Sequence, residues 1–204
     1  MNDGIIVSYR YLCIFRKIGV YRRKMMNLNK YLEGKEVFEF NTVKTSEIPF
    51  TGKFLKYCEE NICGQYNLSW TCPPAVSYIK EQEKIKCGFT DAMVFSCKYD
   101  VKDFNDIEQM DIARNKTMDI LRETVKEIKR NNIDCLAYGC SSCKICGVCS
   151  YPHQPCRFPD DAIVPLEACG INVFELTKKA NINYYNGEKT VTFFCVIVFN
   201  GGNN

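Results

Sequence analysis

The chain is poor in the residues on which hydrolytic and nucleotide-binding sites are usually built. It has one histidine, His153, and one tryptophan, Trp70, in 204 residues. His153 stands between Pro152 and Gln154 in a loop crowded with cysteines, a poor place to hold a base against a nucleophilic thiol. Three roles stay open for it: a metal ligand in a Cys3His site, a hydrogen-bond donor to a cluster sulfur, or a solvated loop residue. Gly139, Gly147 and Gly170 lie too far apart for a phosphate-binding or dinucleotide-binding glycine loop. Long apolar runs are also missing. The strand-like stretch from Val191 to Phe199 is much too short to span a bilayer. Tyr11 to Phe15 is broken by Arg16-Lys17 and has no small-residue cleavage site behind it, which argues against a secretory leader.

Charge of one sign is scarce as well. The formal net charge of +3 comes from the first 30 residues, which hold seven Lys or Arg against one acid. From Tyr31 onward twenty basic residues face twenty-three acidic ones. A phosphate-tracking surface needs clustered basic charge, so composition offers no argument for a nucleic-acid partner. The basic leader, residues 1–30, reads as an over-extended start with Met25 or Met26 as the true beginning, or as a targeting or membrane-surface segment. Residues 31–204 read as a single cysteine-rich metal-binding domain, large enough for its own core.

What the chain has in excess is cysteine, fourteen in all. Disulfide scaffolds of that density are usually far shorter and secreted, so a reducing cytoplasm is the expected location. From Cys140 the chain reads Cys-Ser-Ser-Cys-Lys-Ile-Cys-Gly-Val-Cys, with Cys156 seven residues on. Thiolates packed so densely repel one another unless cations neutralise them, and soft sulfur selects iron–sulfur clusters, zinc or copper(I). Structural zinc usually takes two C-x2-C pairs separated by a dozen or more residues. Consecutive x2 spacings instead suit three corners of a cubane, with a remote Cys-Pro completing it. Cys140, Cys143 and Cys146 supply the run, with Cys149 or Cys156 expected at the same centre, and Cys72-Pro73-Pro74 offers the remote ligand. The fit to the ferredoxin spacing is imperfect, since Cys149 follows at x2 and Pro155 precedes Cys156. Upstream, Cys58, Cys63 and Cys72 bring the thiols to eight, enough for two four-ligand sites. The alternative is that Cys58 is an ordinary buried thiol and only one site exists.

The blocks Cys63-Gly-Gln-Tyr-Asn-Leu-Ser-Trp-Thr-Cys-Pro-Pro, Tyr138-Gly-Cys-Ser-Ser-Cys-Lys-Ile-Cys-Gly-Val-Cys, Pro155-Cys-Arg-Phe-Pro and Leu166-Glu-Ala-Cys-Gly-Ile-Asn-Val occur in this order. Together they resemble the DUF2284 family of metal-binding proteins over residues 35–199. By position Cys63, Cys72, Cys140, Cys143, Cys146, Cys149 and Cys156 match the family's cysteine pattern. The family carries no settled reaction, so the resemblance implies a metal and no chemistry beyond it.

Periodicity predicts a mixed fold. Glu36 to Val43 alternates as a strand, and Gly52 to Glu60 reads as a short helix. A helix is expected from Ser77, as cap, to Lys86, ended by Gly88. Ala92 to Tyr99 reads as a buried strand. Asp106 to Asn131 carries an apolar face of Ile107, Met110, Met118, Leu121, Val125 and Ile128, interrupted by Arg114. Arg114 is either a snorkelling edge residue or a cation aimed at the metal site. Asp134 to Tyr138 is a strand feeding into Cys140, Asp161 to Cys169 and Asn172 to Lys179 are helices, Asn186-Gly187 is a turn, and Val191 to Phe199 is the last strand. Cys97, Cys135 and Cys195 sit in apolar strands and read as core thiols. The expected architecture is an α/β or α+β sandwich, a mixed sheet with helices and the metal-binding loops gathered at one end. Three functions follow: an iron–sulfur protein, [4Fe–4S] by preference, serving electron transfer or a redox partner; a zinc-binding structural or interaction module; or a metalloenzyme with an open coordination position.

Overall fold

The computed structural model describes residues 28–201. The leader and its alternative start sites lie outside the described residues, while Leu28, Tyr31 and Leu32 are buried in the core. Five strands form one mixed sheet: β1 (Glu39–Lys44), β2 (Asp91–Asp100), β3 (Cys135–Gly139), β4 (Val164–Pro165) and β5 (Thr190–Phe199). Their order is β1-β2-β5-β3-β4. All neighbours are antiparallel except β3 and β4, which run parallel with Tyr138 opposite Val164. Four helices complete the fold, α1 (Lys53–Glu59), α2 (Tyr78–Gly88), α3 (Ile107–Arg130) and α4 (Val173–Ala180). The architecture is α+β.

β2 and β5 hold the centre because both are apolar on both faces, and strands that alternate sides feed two cores. Ala92, Val94, Phe194, Val196 and Val198 pack with Ile85 of α2 and with Leu176 and Ala180 of α4. Met93, Phe95, Cys97, Cys195 and Ile197 pack with Met118, Leu121, Val125 and Ile128 of α3. Cys97, Cys135 and Cys195 are buried in that second core, as their strand positions require. Among the described residues no helix is long and apolar enough to cross a membrane.

α3 matches its periodicity closely. Asp106 caps it, its carboxylate accepting from the Gln109 N–H at 2.9 Å. Its apolar stripe begins later than spacing suggests, since Ile107 is exposed while Ala113, Thr117 and Thr124 are buried. Both threonines return their hydroxyls to backbone carbonyls one turn back, which makes their burial tolerable. Other boundaries move. Ser77 precedes α2 in extended conformation but makes no side-chain cap bond, and Gly88 is the helix's last residue.

The expected helix from Asp161 to Cys169 does not form. Val164 pairs with β3 instead, and a residue before proline is pushed away from helical angles, so Val164-Pro165 is extended. Only Glu167–Cys169 closes into a 3-10 turn. Gly170 ends it at φ +72°, where a Cβ would stand 2.6 Å from the Thr51 carbonyl oxygen. The turn before β5 falls at Glu188-Lys189 instead of Asn186-Gly187.

Candidate metal centre

The eight candidate cysteines are free thiols, and the fold divides them into two sets of four. Cys58, Cys63, Cys72 and Cys140 line a cavity of about 510 Å³. Cys143, Cys146, Cys149 and Cys156 line a second one of about 20 Å³. Spacing alone places Cys140 with Cys143 and Cys146; the structure places it with the upstream block. The reason is directional: Cys140 leaves the end of β3, and the chain turns between it and Cys143. Among the described residues no three His, Cys, Asp or Glu side chains converge on a single-ion position, so the thiols surround spaces and not points.

Cys58 lies in the last turn of α1, which packs against the 3-10 turn Glu167–Cys169. Cys63 follows in a loop bent by Asn61 and Gly64, both at positive φ. Asn61 tightens that loop by accepting the Tyr66 N–H at 2.9 Å. Cys72 is buried, with its N–H on the Ser69 carbonyl and its own carbonyl accepting from Val76. Cys140 is set by the sheet. Gly139, one residue before it, accepts the Leu166 N–H at 2.9 Å and lets α3 approach so closely that a Cβ there would stand 2.5 Å from Met118 Sδ. The Cys140 thiol points at the Arg114 carbonyl oxygen, 4.0 Å away.

Burial raises the Cys58 thiol, and the neighbouring Cys63 adds to the effect. Burial also pushes Cys72 up to about 11, with Cys63, Cys58 and Cys143 adding and the Thr71 hydroxyl opposing. Cys143 is raised by burial against an opposing bond from the Ile145 N–H. Cys149 goes the other way: burial pushes it up, but the N–H groups of Tyr151, Trp70 and Ser150 and the Ser69 hydroxyl outweigh it, so the thiolate is favoured. These backbone donors are the kind that stabilise metal-bound sulfur.

The two cysteine segments, far apart in sequence, are held together directly. The Cys143 N–H donates to Thr71 Oγ1 at 3.2 Å, and Thr71 Oγ1 also meets Ser69 Oγ at 3.0 Å. Trp70 Nε1 donates to the Gln154 carbonyl at 3.1 Å, its ring meets Tyr151 edge-on at 4.8 Å, and Tyr151 donates to Asn67 Oδ1. Trp70 and Phe158 wall the smaller cavity. Tyr66 and Pro73 wall the larger. His153 is exposed and lines neither.

Residues that the spacing of cysteines could not reveal complete the larger cavity. α3 contributes Asp111 and Arg114, the loop after Cys140 contributes Ser141, Ser142 and Lys144, and the 3-10 turn contributes Glu167. Asp111 is ion-paired to Arg114 and, at 3.3 Å, to Lys144. The Arg114 guanidinium also lies 5.6 Å from the centre of the Phe193 ring. Glu167 lines the cavity, and desolvation raises its carboxyl above the ordinary value. The interrupted apolar face of α3 was the one sequence signal pointing to Arg114.

Comparison with known proteins agrees with the cysteine pattern. A family profile described as predicted metal-binding protein, DUF2284, matches residues 41–199. The chain belongs to the DUF2284 family. The match runs from the third residue of β1 to the last residue of β5, so all of the sheet but Glu39 and Phe40, and both cysteine cavities, lie inside the family domain. No curated protein and no solved structure matches the chain. The family is described as predicted metal-binding, and four thiols line each cavity, the soft donors that such a property calls for.

Proposed function

We propose that this DUF2284 protein carries two metal groups, one held by Cys58, Cys63, Cys72 and Cys140 and the other by Cys143, Cys146, Cys149 and Cys156, and serves redox chemistry in the cytoplasm. The division of eight thiols into two sets of four, across segments that interlock, carries this reading. Iron–sulfur clusters, [4Fe–4S] by preference, are the favoured occupants, because all-thiolate sites select them and because four thiols around a large space suit a cubane with one sulfur at each iron. Such a group would supply one-electron transfer, to a substrate or to a redox protein partner. The chain's own part is to bury Cys72, half-bury six of the other thiols, aim backbone N–H groups at Cys143 and Cys149 and wall the cavities with Trp70 and Tyr66, since burial and hydrogen bonding set a cluster's potential.

One observation favours a second reading for the smaller site. About 20 Å³ is room for little more than one water-sized body, so a single zinc ion there would need the four thiols to close in from where they stand, and it would give the loop from Cys143 to Cys156 a structural role.

Anaerobic purification followed by an optical spectrum and iron, sulfide and zinc analysis tests both. Cys72→Ser and Cys146→Ser should each lower metal content by about half, because an alcohol is a far poorer soft-site ligand than a thiolate. Cys97→Ser, in the core, should leave it unchanged. A colourless protein containing zinc alone would exclude the redox role. Equal metal content in wild type and Cys72→Ser would confine the metal to the downstream run.

A further inference from the structure

The two cavities hold the same number of thiols and differ about twenty-five-fold in volume, at about 510 and 20 Å³. A structural metal site closes its ligands round the metal, whereas a site that works on a second molecule keeps room beside it. The larger cavity's volume of about 510 Å³ includes the space of the metal group, and what that group leaves free is the room for a second small molecule. Its lining is also divided. Four thiols come from α1, the following loop and the end of β3, while α3 and the loop after Cys140 add two cations and two serine hydroxyls.

We propose that this cavity binds a small monocarboxylate beside its metal group, with Arg114 and Lys144 taking the carboxylate. The inference rests on the metal reading above for the neighbouring group, and on the protein's own side chains for the anion. Asp111 bridges the two cations, through one oxygen to each, and so fixes both at the cavity wall. Phe193 further orients the guanidinium from its face. Among the described residues Arg114 donates its side-chain hydrogen bonds to Asp111 alone, which leaves most of its planar fork for a second carboxylate. Two cations against Asp111 leave one surplus positive charge on that wall, which matches a single carboxylate better than a phosphate dianion. Glu167 is the other acid on the cavity, brought to it by the 3-10 turn and not by the wall that carries the two cations. Ser141, Ser142 and Gln65 offer hydrogen bonds to a polar substituent on the ligand.

The test is binding of glycolate, followed by saturation-transfer NMR on the full-length, metal-loaded protein, with metal content measured on the same samples. The expected result is a dissociation constant raised about tenfold or more by Arg114→Ala, the loss of a charge-assisted hydrogen bond, and by a smaller factor in Lys144→Gln. Arg114→Lys, which keeps the charge without the fork, should fall between wild type and Arg114→Ala. Metal content should be equal in all four proteins. Equal glycolate affinity in wild type and Arg114→Ala overturns the proposal, as does tighter binding of inorganic phosphate than of glycolate. Loss of metal in Arg114→Ala also overturns it, by assigning the guanidinium to the metal group. A metal-loaded wild type that ignores glycolate defeats the anion site alone. Arg114-dependent glycolate binding by a protein without metal upholds the anion site and defeats the metal reading alone.

Discussion

Tyr138 shows how single residues tie the core to the metal region. It is buried two positions before Cys140, and its hydroxyl donates to Glu81 Oε2 at 3.1 Å. Glu81 is itself buried, on α2, and its other oxygen is paired with Lys84 at 2.5 Å. Desolvation raises the Tyr138 phenol far above its ordinary value, which favours the protonated, donating form. Tyr138→Phe should therefore destabilise the protein by about 1–3 kcal/mol in urea unfolding, because it leaves a buried carboxylate oxygen without its donor. The cysteines at this scale were legible from spacing and residue type. Arg114 and Asp111 were not assignable, because one helix turn says nothing about what faces it.

At the scale of elements, α3 was the clearest in the sequence and is the best packed in the structure. A long amphipathic period needs only local pattern to be recognised, and here tertiary packing agrees with it. Its stability should come from the buried face and not the cap. Leu121, fully buried between α3 and the sheet, should cost about 2–5 kcal/mol as Leu121→Ala. Asp106→Ala should cost about 1 kcal/mol through loss of the Gln109 cap bond. Denaturant midpoints of the two variants check the order. The segment from Asp161 to Cys169 shows the opposite case. Its composition allowed a helix, but Pro165 and an open edge on β3 made two residues of strand the better use of the backbone.

For the whole molecule, the two-sided core is expected to hold the fold without metal. Buried apolar residues on both faces of β2 and β5 form two clusters, and neither contains any of the eight candidate ligands as a buried member. Chelation under reducing conditions should leave far-UV circular dichroism and cooperative unfolding intact. It should raise amide exchange in residues 58–72 and 140–156, where local order and metal binding are coupled. Collapse of the sheet on metal removal would show that the core alone does not hold the fold.

The sequence by itself determined the class of the protein: a dense set of soft donors, from cysteine spacing; the mixed architecture, from strand and helix periods; and the family, from ordered cysteine blocks. Only the tertiary structure decided the partition of the thiols. Spacing reports which sulfurs are near along the chain, while a ligand set is chosen by where strands end and loops turn. The end of β3 at Gly139 directs Cys140 to Cys58, Cys63 and Cys72, and the Thr71 hydroxyl holds Cys143 beside them in the other cavity. The cations of the larger cavity were decided the same way, because Arg114 reaches it from a helix whose sequence records only its own face and Lys144 from a loop whose path the sequence does not record.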